Sequence, residues 1–268
     1  MKVLSFINQK GGVGKTTTAL NVGAALSLCG FECLLVDIDP QGNLTQSAGF
    51  TEIGDDEPTI YEVLKGGDVN AAIRSHNGRY DVLPADIRLS AGEIELATNK
   101  SRNTLLRGIL GKLSKTYDFV LVDCPPSLSV FTLMALSAAD EVIIPVQAQY
   151  LPLKGVSQIV DTVELVKSRF NDKLAIGGVV LTFFDGRRNL DADVLEALNG
   201  YFGDKVYKTT ISVNTKLAEA PSFGKDIFEY SPTSKGAKQY RELAGEIARN
   251  MKPQKRATSD EARKKKVR

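Results

Sequence analysis

Short apolar runs alternate with longer amphipathic stretches along this chain. The runs are residues 3–7, 33–36, 80–83, 119–122, 142–146 and 176–181, each of strand length and rich in Val, Ile, Leu or Phe. Between them, residues 91–97, 104–114, 156–168 and 191–198 carry apolar side chains at helical spacing. Such alternation predicts an α/β fold, a mostly parallel twisted sheet flanked by helices on both faces. The acidic, glycine-containing stretch 51–58 reads as a surface loop. Residues 1–251 read as a single domain, with a compositional break only after them.

The junction after the first run carries chemistry. It reads Lys10-Gly11-Gly12-Val13-Gly14-Lys15-Thr16-Thr17. A loop that wraps phosphates needs backbone N–H groups to converge in conformations that a Cβ would block, which Gly11, Gly12 and Gly14 permit. The helix expected to start near Lys15 adds its positive N-terminal end. Leu20, Ala24 and Leu28 fit one face of that helix, and Gly30 closes it. Lys15 is then placed to reach β- and γ-phosphates, and the Thr16 hydroxyl to ligate Mg²⁺. An ordinary glycine turn explains the glycines but not Lys15 followed by Thr16. Lys10 lies too early to replace Lys15, so its charge has either another task or none beyond solvation.

Two other apolar runs end in carboxylates. Residues 33–36 lead into Asp37-Ile38-Asp39-Pro40-Gln41-Gly42-Asn43, and residues 119–122 into Asp123-Cys124-Pro125-Pro126. Carboxylates at strand ends can serve a metal and a water; the second segment reads as a Walker B strand with Asp123 near Mg²⁺. Taken singly, an Asp at a strand end is as readily a helix cap.

Composition narrows the class further. The 268 residues are 43% hydrophobic and 25% charged, as in ordinary globular proteins. His76 is the only histidine, which leaves histidine-based triads without material; it reads as a surface residue. Cys29, Cys33 and Cys124 lack CxxC spacing and read as buried, reduced thiols. Residues 252–268 carry a net charge of +6 within a chain of +2, so the preceding body is −4. Such a tail is expected to be disordered and to grip DNA without specificity. Its apolar residues are only Ala257, Ala262 and Val267, too few for a membrane-anchoring face. With no apolar stretch long enough to span a bilayer and no signal peptide read at the start, a cytoplasmic location without membrane association is expected.

The pattern Lys10-Gly11-Gly12-Val13-Gly14-Lys15-Thr16 resembles the deviant Walker A ATPases, which include the ParA/Soj partition proteins and MinD. The resemblance to the ParA/Soj branch covers nearly all of residues 1–250. It is carried also by the segments at Asp37 and Asp123, by Thr59-Ile60-Tyr61-Glu62-Val63-Leu64 and Leu83-Pro84-Ala85-Asp86-Ile87, and by Leu181-Thr182-Phe183-Phe184-Asp185-Gly186-Arg187. Leu217-Ala218-Glu219-Ala220-Pro221-Ser222-Phe223-Gly224-Lys225 carries it late in the chain.

The resemblance implies an ATPase that dimerises around Mg·ATP, binds non-specific double-stranded DNA as the dimer, and lets go after hydrolysis stimulated by a ParB-type centromere-binding protein. A nucleoid-associated location follows from that reading. In this family the early lysine reaches across the homodimer, so Lys10 would act on the partner's nucleotide, as an arginine finger does elsewhere. Residues 10–17 would hold ATP, Asp39 would orient the attacking water, and Asp37 would support the metal shell with Thr16, Asp39 and Asp123. Pro232, in residues 231–237, would lie near the base, unless that proline is simply a helix start. Matched by position, Arg187 and Lys216 would bind DNA, with Arg188 and Lys225 beside them; for the latter two a solvated surface charge is an equal reading.

The chain departs from the pattern at Met134, where Asn is expected, and at residues 149–154, which lack the usual glutamates. In Ile211-Ser212-Val213-Asn214-Thr215-Lys216 a Pro-Arg and a later Arg are replaced. These changes bear on partner contact, the dimer surface and DNA affinity. A second reading is therefore a nucleotide-gated positioning or regulatory switch acting on a protein cargo without DNA.

Overall fold

The computed structural model describes residues 1–99, 101–148 and 152–251. The basic tail, and Gln149, Tyr150 and Leu151 of the departing segment, lie outside them.

The strands are β1 (Lys2–Phe6), β2 (Cys33–Asp37), β3 (Arg74–His76), β4 (Tyr80–Leu83), β5 (Phe119–Asp123), β6 (Glu141–Gln147), β7 (Ala175–Phe184) and β8 (Ile211–Ser212). They form one eight-stranded sheet in the order β3-β4-β2-β5-β1-β6-β7-β8. Only the β3–β4 edge is antiparallel. The helices are α1 (Lys15–Leu28), α2 (Asn43–Ser47), α3 (Ile60–Leu64), α4 (Val69–Ala72), α5 (Leu89–Glu95), α6 (Leu105–Leu110), α7 (Val130–Ala138), α8 (Pro152–Arg169), α9 (Asn189–Phe202), α10 (Thr215–Glu219), α11 (Ile227–Tyr230) and α12 (Lys235–Met251).

The expected α/β sheet is therefore present. Its central strands β2 and β5 are buried along their whole length. Alternate residues feed two cores: Leu34 and Val36 face one with α3, α6, α7, α8 and α9, whereas Cys33 and Leu35 face the other with α1 and α12. Helix α1 lies between the sheet and α12, so it is buried continuously from Thr18 to Leu26 and not along one face alone. Leu28, expected on the apolar face, ends the helix 54% exposed. Gly23 permits the close approach to the sheet, since a Cβ there would stand 2.8 Å from Leu35 Cδ1.

Several expectations need correction. The edge strands β3 and β8 have no apolar run: β3 is Arg-Ser-His and forms because Asn77 (φ 53) and Gly78 (φ 71) make the tight turn that pairs it with β4. His76 is buried, not a surface residue. Its Nδ1 lies 2.9 Å from Ala48 O and its Nε2 3.0 Å from Glu229 Oε2, and its ring stacks on Tyr80. Cys29 is exposed, because the chain turns away from the core at Gly30, whereas Cys33 and Cys124 are buried. Met134 is fully buried in the core between α7 and the sheet. As a packing residue it cannot touch a partner surface.

Candidate functional site

Parallel register delivers the chemistry to one end of the sheet. Asp37 at the end of β2 pairs in register with Asp123 at the end of β5, and Phe6 at the end of β1 pairs with Asp123 on the other side. The loop leaving β1 therefore runs beside both carboxylates. Gly12 (φ 73) and Gly14 (φ 85) take left-handed backbone there, and nothing lies within 4 Å of where a Cβ on Gly11 or Gly12 would be. The open side of that loop is a cradle of backbone groups.

Gly14 caps α1 without a side-chain hydrogen bond, and the first turn holds no acidic residue. An anion can therefore take the N–H groups and the positive end of the helix dipole. Asn8 fixes the loop entrance: its Nδ2 donates to Pro145 O at 2.7 Å, and its Oδ1 accepts from Lys10 N at 3.0 Å. Lys10 itself is exposed. Lys15 is 7% exposed, and its Nζ donates back to Lys10 O at 3.4 Å. Burial lowers its pKa, against the opposing pull of Asp123, Cys124 and Asp39. Thr17 lies one turn before Asn21, whose Nδ2 donates to Thr17 O.

The carboxylates divide their tasks by their bonds. Asp123 is fully buried; its Oδ2 accepts from Thr16 Oγ1 at 2.7 Å, and its Oδ1 has no hydrogen-bond partner. Burial, and then the neighbouring Asp37, push its pKa well up. A fully buried carboxylate with an unpaired oxygen, next to a second carboxylate and a threonine hydroxyl, fits a hard cation with oxygen ligands. Asp37 has both oxygens engaged, Oδ2 by Thr45 N and Thr45 Oγ1 at 2.9 and 2.7 Å, and Oδ1 by Asp39 N at 3.1 Å. Burial pushes its pKa up to about 7 in spite of these bonds. Asp37 thus anchors the loop that carries Asp39. Asp39 is 6% exposed, and its Oδ1 accepts from Gln41 N.

A cavity adjoins the cradle beyond Gly14. It is lined by Thr17, Thr182, Phe183, Asn214, Leu217 and Tyr240 among others. Thr182 Oγ1 lies 2.9 Å from Val13 O, tying β7 to the loop. Phe183 holds φ 54, a conformation uncommon outside glycine, with its ring against Gly14. Pro232 sits in the turn Ser231–Ser234 ahead of α12, which Ser234 caps through Ala237 N.

Residues 1–176 match the family model described as an AAA domain. The chain is 48% identical over 251 residues to the sporulation initiation inhibitor protein Soj of Bacillus subtilis, covering 93% of this chain and 99% of that protein. It is 43% identical over 251 residues to the chromosome partitioning protein ParA of Caulobacter vibrioides, covering 92% and 94%. The chain belongs to the ParA/Soj family of partition ATPases.

Solved structures agree with that membership. Cobyrinic acid a,c-diamide synthase from Mycobacterium smegmatis with bound ADP and magnesium superposes with a TM-score of 0.82 at 36% identity, covering 95% of this chain and 97% of that one. A plasmid partition protein from Borrelia burgdorferi bound to AMPPNP superposes with a TM-score of 0.79 at 25% identity, covering 93% and 99%. This ParA/Soj chain is thus an ATPase that uses ATP and Mg²⁺ in ATP-dependent partition. No helix among the described residues is long and apolar enough to cross a membrane.

Of the residues matched to DNA binding, Arg187, Arg188 and Lys216 lie by β7 and β8, whereas Lys225 precedes Asp226, whose carboxylate pairs with Arg79 at the opposite, β3–β4 edge of the sheet. Arg187 and Arg188 follow β7 and are exposed. Lys216, in α10 after β8, donates to Glu219 Oε2 at 2.8 Å and lies over the Tyr230 ring. Lys225 follows the 3-10 turn Ala220–Phe223 and is exposed. Sequence reasoning missed Asn8, Thr45, Thr182 and the lining of the cavity. Neither Thr45 nor Thr182 carries a local signal: Thr45 joins nearby Asp37 to Ala85 from a later segment, and Thr182 reaches Val13 from far along the chain.

Proposed function

We propose that the chain dimerises around two Mg·ATP, binds duplex DNA without sequence preference as the dimer, and dissociates after hydrolysis stimulated by a ParB-type centromere-bound protein. The observation that carries the nucleotide half is the Asp37–Asp123 register beside the uncapped start of α1. In this reading the backbone of Gly11, Gly12, Val13 and Gly14, with Thr17, cradles phosphates, and Lys15 swings from Lys10 O to the β/γ oxygens. Thr16 and Asp123 would hold Mg²⁺, which would supply charge neutralisation at those oxygens. Asp39 orients the water for in-line attack, while Asp37 holds the Asp39 loop. Lys10 reaches the partner's nucleotide and stabilises charge developing there. The base occupies the cavity beside Gly14, with the Pro232 turn nearby.

The DNA half rests on Arg187, Arg188 and Lys216 by β7 and β8, with Lys225 apart from them toward the β3–β4 edge and the basic tail adding a second grip. Phosphate contacts of this kind give sequence-blind, salt-sensitive binding. The −4 body and the Lys216–Glu219 pair favour the second reading, a switch acting on a protein cargo. Binding to a random-sequence duplex with ATP, ADP or no nucleotide, at two salt concentrations, separates the two. Salt-sensitive binding that needs both ATP and Lys15, lost in Lys15→Ala, supports partition on DNA. Dimerisation with ATP but no DNA binding supports the cargo switch.

A further inference from the structure

Arg187 does not stand alone on its loop. Its Nε donates to Asp185 Oδ1 at 2.9 Å, its Nη2 to Asp185 Oδ2 at 2.8 Å, and its backbone N to Asp185 Oδ1 at 3.2 Å. The carboxylate thus takes the side edge of the guanidinium and leaves the outer end to solvent; the Arg187 side chain is 90% exposed. Asp185 is held in turn from below. Its backbone N donates to Asp191 Oδ2 at 2.7 Å. Asp191 is only 1% exposed, lies in the first turn of α9, and keeps its Oδ1 without a partner. The helix start compensates that buried charge. A polar groove opens beside this arm, lined by Arg187 with Lys235, Thr210 and Ser212.

We propose that Asp185 is a positioning residue for DNA phosphate: through its clamp on the side edge, and through Asp191 beneath it, it presents the outer end of the Arg187 guanidinium to one phosphate in the groove shared with Lys235. This inference rests on the DNA-binding reading above. Its physical content is a sign. An acidic residue on a DNA-binding face repels phosphate, so simple electrostatics predicts that removing Asp185 tightens binding. A long exposed arginine that is already ordered loses less freedom on docking, so the clamp predicts the opposite. Pairing with Arg187 holds the Asp185 carboxyl well below the usual range, so the clamp stays charged at neutral pH.

The test is a cycle of Asp185→Ala, Arg187→Ala and the double variant in the full chain, read as binding to a labelled random-sequence duplex with Mg·ATP over a salt series. Melting temperature and ATP binding check that each variant is folded. Loss of one ordered side chain on docking corresponds to a few-fold in affinity, so Asp185→Ala should bind about 3- to 10-fold more weakly. Arg187→Ala should shrink the log–log salt slope by about 0.9, one phosphate contact, whereas Asp185→Ala should leave the slope nearly unchanged. In the Arg187→Ala background, removing Asp185 should tighten binding, because the clamp is gone and Asp185 keeps only its long 3.8 Å contact with Arg188 Nε beside its repulsion of phosphate. Asp185→Glu, which keeps a carboxylate, should recover part of the loss. If Asp185→Ala tightens binding in both backgrounds while Arg187→Ala weakens it, the positioning role is overturned and the DNA reading stands. If the wild type does not bind duplex with ATP, or Arg187→Ala binds as the wild type does, the DNA face itself is wrong and the proposal falls with it.

Discussion

Alanine at Gly224 tests whether a backbone contact holds the exposed turn after α10 against the segment that follows Asp39. Gly224 has φ 60 and ψ 35, in the left-handed region, and its neighbour across the contact, Gly49, has φ 88 just beyond α2. A Cβ on Gly224 would stand 2.6 Å from Gly49 Cα and 3.3 Å from Gly49 N. Both are backbone atoms, so no rotamer relieves the clash and one segment must move. Left-handed backbone costs an alanine about 1–2 kcal/mol. Forcing packed segments apart costs about 1–3 kcal/mol more, for a total of about 2–5 kcal/mol. Gly78 separates the two contributions: it sits at φ 71 in the β3–β4 turn with nothing within 4 Å of its would-be Cβ, so Gly78→Ala carries the backbone cost alone. Urea unfolding of the nucleotide-free protein should place Gly224→Ala about 1–3 kcal/mol below Gly78→Ala at unchanged m-value. In a domain of this size that difference is about 2–12 °C in Tm. Equal losses in the two variants would refute the steric argument, and with it the idea that α2 and the 220–225 turn are held in fixed register.

Three further outcomes are expected. Asp39→Ala should lower single-turnover ATP hydrolysis by about 100-fold or more with ATP binding retained, since positioning of the attacking group is removed and the phosphate cradle is not; a fully active variant would defeat the assignment. Thr45→Val should cost about 1–3 kcal/mol in urea unfolding, because Asp37 Oδ2 loses a buried donor and Ala85 N loses its acceptor, Thr45 Oγ1; no change would mean that Asp37 does not depend on this bond. Burial alone would raise the Glu229 pKa, but hydrogen bonds and charge from His76 and Arg79 outweigh it and hold the carboxyl below its usual value. Its stabilisation is therefore complete above the unfolded-state pKa of about 4.3 and is lost as pH falls through the lower folded value. Glu229→Gln should flatten that acid limb in a Tm–pH series, and an unaltered limb would remove Glu229 from it.

The phosphate loop was legible in the sequence because its requirements are local: glycine where the backbone turns left-handed, and lysine and threonine at fixed offsets from it. The sheet was legible for the same reason, through short runs rich in apolar residues at β1, β2, β4, β5, β6 and β7. What escaped depends on residues distant in the chain. His76 looked like a surface residue because its partners, Ala48 O and Glu229, arrive from other segments. Met134 stood out as a departure, yet its position facing the sheet makes it a core residue. Asn77-Gly78 was a readable hairpin signal, and it would have located β3 despite that strand's polar side chains.

The pairing of Asp37 with Asp123 follows from topology, which single residues do not specify. From β1 the chain crosses to β2 on one side of the sheet, and from β5 it crosses over β1 to β6 on the other. The strand order thus reverses about β1, and the loops leaving β1 and β6 diverge at its carboxyl end. In open α/β sheets a crevice opens at such a reversal and ligands bind there. Here the loop leaving β1 is the glycine cradle, and the strands on the β2 side bring the two carboxylates into register beside it. The opposite side brings Thr182 to Val13 and the cavity to Gly14. The crossover therefore separates a polar, cation-accepting half of the site from a half lined largely by apolar and aromatic side chains. In the function proposed above, a nucleotide laid across β1 would have its phosphates on the first side and its base on the second, the side on which the Arg187 loop lies, while the 3-10 turn Ala220–Phe223 leads back to α2 on the β2 side.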